Sequence, residues 1–171
     1  MDTLVGSHSW KWRAVDWTAA AVSGLAAGAV LMVLDLLWSS LFSPEGPWRT
    51  SHMIAPIFIG DATYRATGYA FSTAVVGVAL AVHYVLGIAF GLIMAAIMAQ
   101  FRADGSPGTA AAAGGILGMA LYLVNFDLLV GLGFFPWLVE MQGPETFAAH
   151  VLFGVVAALL YWRLKRTETE G

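Results

Sequence analysis

Two carboxylates and two imidazoles stand in stretches of sequence that are otherwise apolar. Asp35 lies in Leu34-Asp35-Leu36-Leu37, and Asp127 in Phe126-Asp127-Leu128-Leu129. His83-Tyr84-Val85-Leu86-Gly87 is echoed by His150-Val151-Leu152-Phe153-Gly154. An ionisable side chain inside a bilayer is expensive, so each of these residues marks a candidate functional site. Three chemistries suit the set. A divalent transition metal accepts imidazole and carboxylate ligands. The two histidines could instead ligate one haem b axially, with Gly87 and Gly154 one turn away to admit the macrocycle. Asp/His chains also relay protons, because imidazole titrates near neutral pH.

Two further residues belong to the candidate set. Asn125 is about 200° from Asp127 around a helix, so only one of the two can face a given neighbour. His52, with Met53 and Met141, offers soft ligands of the kind copper takes. A structural reading competes at every position. Asp35 and Asp127 could hydrogen-bond to the partner histidines, and each His to a backbone carbonyl. Asp127 could pair with Arg49 or Arg65. Interhelical polar bonds in membranes average only about 0.6 kcal/mol, which is a small return for burying two carboxylates.

The elements that must position these groups are long apolar helices. The chain has 171 residues, of which 59% are hydrophobic and 11% charged. Its mean hydropathy is +0.76. That much apolar surface on one domain of this size requires lipid as the main solvent. Four stretches reach the length of about 20 residues that a bilayer demands. They run over about 17–42, 71–101, 109–135 and 146–162, within a single transmembrane domain, 1–171. Each must be helical, since lipid cannot satisfy free backbone amides. The fold expected is an all-α, integral membrane four-helix bundle.

The punctuation between the spans is legible. Asp16 can cap the first helix. Asp104-Gly105-Ser106-Pro107-Gly108 reads as a turn, and Gly143-Pro144-Glu145 as a helix start. The loop 43–70 contains a short apolar run, Met53–Ile59, too short to span and expected to lie on or dip into the outer interface. Lys11, Arg13, Arg102, Arg163, Lys165 and Arg166 fall on one side, and only Arg49 and Arg65 on the other. Positive residues favour the cytoplasm, which puts both termini inside and the chain in a bacterial inner membrane. Asp35, His83, Asp127 and His150 then all fall in the outer half, roughly 6–12 Å below the surface.

The matched segments suggest two tandem helical hairpins related by a pseudo-two-fold along the membrane normal. Gly24-xxx-Gly28, Gly87-xxx-Gly91, Gly114-xxx-Gly118 and Gly154-xxx-Ala158 place small residues on one face of every helix. Such faces permit close helix packing or oligomerisation, and could alternatively leave room for a flat ligand such as a haem or quinone.

Other function classes are poorly supplied. The net charge is −3 with no basic stripe, which argues against nucleic acid as a partner. There is no Cys, so disulfides, thiolate metal sites and iron–sulfur clusters are excluded. No nucleophile elbow, P-loop or dinucleotide fingerprint is present, so enzymatic activity is the least supported class.

Leu121-Tyr122-Leu123-Val124-Asn125-Phe126, the following Phe135-Pro136-Trp137, and Ala149-His150-x-x-Phe153-Gly154 carry a resemblance. With them, most of the chain resembles small bacterial four-span membrane proteins, some labelled as similar to sodium:proline symporters. Those symporters use many more spans and broken helices, so the resemblance bears on topology. Three functions follow as expectations. The first is a binding or transport protein whose His/Asp site handles a cation, either a transition metal or a proton. The second is a haem b or quinone-linked redox subunit. The third is a structural accessory subunit, as a homo-oligomer or within a larger membrane complex.

Overall fold

The computed structural model describes residues 12–60 and 69–166. Among these, every regular element is helical. Four helices are long and apolar enough to cross a membrane. They are α1 (Trp17–Phe42), α4 (Thr73–Gln100), α5 (Pro107–Tyr122, continuing as a π-helix over Leu123–Leu129) and α6 (Pro144–Leu164). Between α1 and α4 lie two short helices, α2 (Arg49–Ile54) and α3 (Pro56–Ile59), and a 3-10 turn spans Pro136–Met141.

The helix ends follow local chemistry. Asp16 caps α1, accepting the Ala19 N–H at 2.9 Å. Ser106 and Thr109 form a reciprocal capping box on α5, with Pro107 in the first turn. Pro144 and Glu145 open α6, where a missing N–H and a negative charge are both tolerated.

In packing, α1 lies against α4 and against α6, while α5 lies mainly against α6; α4 and α5 touch much less. The glycines set the close contacts. A Cβ on Gly91 would come within 2.7 Å of the Ala20 carbonyl oxygen and of Gly24 Cα. A Cβ on Gly114 would come within 2.6 Å of Ala158 Cβ. The small-residue faces are therefore closed by neighbouring backbone, and they offer no slot for a macrocycle between α1 and α4 or between α5 and α6.

Two levels of core result. At the end carrying both termini, Ala20, Ala27, Met94, Met98, Phe153, Ala157 and Ala158 pack together. At the far end the core joins Phe126 of α5 to two loop residues, Met53 and Leu138, flanked by Trp137 and Met141. Thus the first part of the apolar run expected at the interface dips into the protein, while Phe58 and Ile59 stay exposed. His52, Met53 and Ala55 are fully buried.

Candidate functional site

Asp35 sits on α1, two turns beyond Gly28, and is partly buried. Its Oδ1 accepts the Thr50 hydroxyl at 3.1 Å. Thr50 belongs to α2, so this bond ties the loop segment to the first spanning helix. Asp35 lies within electrostatic reach of His83 and of Arg49.

His83 projects from α4 to α1, where Nε2 meets the Gly28 carbonyl at 2.9 Å. A carbonyl only accepts, so Nε2 carries the proton and Nδ1 is the basic nitrogen. His150, on α6, is tied down in the opposite sense. Its Nδ1–H donates to the Thr146 carbonyl at 2.8 Å, one turn back on the same helix. Its Nε2 faces the Asn125 amide at 3.4 Å. Tyr122 and Phe126 meet the His150 ring edge to face, at centroid distances of 5.7 and 5.5 Å. His150 lies within electrostatic reach of His83.

Asp127 does not join this set. It is exposed on α5, and among the described residues no hydrogen bond or ion pair reaches its carboxylate. The reason is the helix register. The π-helix Leu123–Leu129 contains both Asn125 and Asp127, and it turns Asn125 toward His150. A π segment costs the helix its regular ladder and recurs at functional sites. Here Gln142 supports it, donating from Nε2 to the Phe126 carbonyl at 2.5 Å. In sequence, Asn125 follows Gly114 at the same interval at which Asp35 follows Gly24, and Asp127 does not. That glycine register was the available signal. Arg49 is engaged elsewhere, with Glu45 at 2.5 Å and the Glu140 carbonyl at 2.9 Å. Arg65 lies outside the described residues.

His52 is buried apart from the others. Its Nε2 lies 2.7 Å from the Ala70 carbonyl, and its ring meets Tyr69 edge-on. Met53 and Met141 do share a core, but His52 spends Nε2 on a carbonyl, as a structural histidine does. Among the described residues, no group of three or more His, Asp or Glu side chains converges in a way that could hold a metal ion.

Thr50 and Gln142 are the contributors that sequence reasoning missed. The far-end segments hold them in place: Trp137 Nε1–H donates to the Met53 carbonyl at 3.0 Å. The buried α2 segment therefore covers Asp35 from the loop side.

Compared with protein-family models, with curated proteins and with solved structures, the chain matches none.

Proposed function

We propose that the chain is a multi-pass inner-membrane protein, with both termini cytoplasmic, whose Asp35–His83–His150 site takes up and releases protons in the outer half of the bundle. The observation that carries this reading is that two imidazoles on two helices are each fixed through one ring nitrogen at a helix carbonyl, and that the Asp35 carboxylate stands on the helix that His83 meets. His83 Nδ1 is left to accept a proton, whereas His150 Nε2 faces the Asn125 amide and takes up a proton once that amide turns its oxygen toward it. A proton asks for one basic atom at a time, whereas a transition metal asks for three or four ligands together. The described ligands suit the proton better. Thr50 steadies the Asp35 carboxylate, and Asn125 faces His150.

Two finer features belong to the same reading. The orientation follows the Lys/Arg bias, with Arg13, Arg102, Arg163, Lys165 and Arg166 at the end that carries the termini. The hairpins α1–α4 and α5–α6 are tandem copies, a view supported by the paired contacts of Gly24 with Gly87 and Gly91, and of Gly114 with Gly154 and Ala158. In that repeat Asp35 and His83 correspond to Asn125 and His150, so one half retains the carboxylate and the other an amide.

The test is proton movement in proteoliposomes loaded with a pH-sensitive dye. An imposed pH step should collapse faster with the protein than without it. His83→Gln and His150→Gln should each slow that collapse to the protein-free rate. Equal rates in the wild type and both variants would remove the proposal.

A further inference from the structure

A second cluster of charge lies at the opposite end of the bundle. A cavity of about 520 Å³ opens there, bounded by Arg13, Asp16, Asp104, Tyr161, Lys165 and Arg166. Its volume is within the range of about 300–1,000 Å³ typical of small-ligand sites.

The two carboxylates already have partners. Asp104 is buried, bonds Lys165 Nζ and lies 3.9 Å from Arg13 Nη1. Asp16 accepts the Ala19 N–H with one oxygen and, with the other, the Arg166 N–H at 3.1 Å. Among the described residues that line it, three cations face two acids, leaving one positive charge in excess. The two guanidiniums keep donors to spare. Arg13 gives Nη1 to the Ala99 carbonyl at 3.1 Å, yet its side chain is 48% exposed. Arg166 is exposed, and its tie to Asp16 is made by the backbone. A guanidinium fork matches the oxygens of a phosphate. The cavity also sits where α1 begins and α6 ends, its lining residues Asp16 and Tyr161 next in sequence to Trp17 and Trp162, indoles of the kind that settle at headgroup depth.

We propose that this cavity binds a singly charged phosphate anion through Arg13 and Arg166, above a floor made by the Lys165–Asp104 pair. The excess of one charge fits a phosphodiester monoanion, and Asp16 disfavours a dianion. An anionic phospholipid headgroup and free phosphate share this chemistry. The proposal is independent of the proton site.

The full-length protein in detergent is mixed with equal amounts of phosphatidylglycerol and phosphatidylcholine, and retained lipid is read by native mass spectrometry. Phosphatidylglycerol should be retained in preference. Arg166→Gln keeps the backbone N–H on Asp16 and should lower that retention roughly tenfold, the value of one charge-assisted bond. Arg13→Gln with Arg166→Gln should abolish it. Arg102→Gln, an exposed arginine that does not line the cavity, should leave it unchanged. Added inorganic phosphate separates the sources. Displacement of the lipid shows that free phosphate occupies the same site, and persistence shows a lipid headgroup site. Equal retention of both lipids, or retention unchanged by Arg166→Gln and the double variant, would overturn the proposal.

Discussion

The closest helix contacts are made by glycines, and one substitution measures how much they matter. Gly114 on α5 faces Gly154 and Ala158 on α6. An added Cβ would stand 2.6 Å from Ala158 Cβ and 2.8 Å from the Gly154 carbonyl carbon. Two carbons are best separated by about 3.5–4.0 Å, so Gly114→Ala requires the helices to part by about 1 Å. The neighbours are backbone and a bare methyl, with no flexible side chain to swing away. Overpacking of this kind costs about 1–3 kcal/mol. Van der Waals contact is what holds apolar helices together in lipid, so there is little else to offset the loss. Gly77 on α4 is the control, since a Cβ there meets nothing within 4 Å. Gly77→Ala should be neutral or stabilising by up to about 1 kcal/mol, the helix preference of Ala over Gly. Unfolding in mixed micelles by added dodecyl sulfate compares the two. Equal stability of Gly114→Ala and Gly77→Ala would refute the packing argument.

Three further outcomes are expected. Asp127→Asn, at an exposed and unbonded carboxylate, should change stability by no more than about 0.5 kcal/mol in the same unfolding assay. Trp137→Phe and Gln142→Ala each remove one bond to a backbone carbonyl and should cost about 0.5–1.5 kcal/mol, with faster amide exchange over α2 and over Leu123–Leu129 respectively. Asp16→Ala should cost about 1 kcal/mol at neutral pH by loss of the α1 cap. The Ala19 N–H, followed by that of Arg166, holds the Asp16 carboxyl below its ordinary value of 3.8. A lowered folded pKa means that this contribution is complete above the ordinary value and fades as pH falls through the lower one. The difference between wild type and Asp16→Ala should therefore persist at neutral pH and shrink only below about pH 3.8.

The spans were legible because lipid leaves a chain few options. Apolar length and helix caps placed α1 almost to the residue, and Asp16, Pro107 and Pro144 mark starts by local chemistry alone. Span three was read as 109–135, but its apolar length runs on past the helical region and into the loop that holds the 3-10 turn. The four polar candidates were legible as types, because charge in an apolar run stands out. Their grouping was not. Choosing between Asn125 and Asp127 depends on the rotation of one helix, and the π-helix that sets it leaves no mark in composition. Thr50 was hidden for a different reason: it lies in a loop whose docking depends on distant partners, among them Trp137 and Glu140.

The central claim is that His83 and His150 belong to one site that excludes Asp127. Imidazole nitrogen-15 NMR of the labelled protein, followed across pH, tests it most directly. The His150 titration midpoint should move when His83 is replaced by Gln and stay in place in Asp127→Asn. A His150 midpoint indifferent to His83→Gln would contradict the claim.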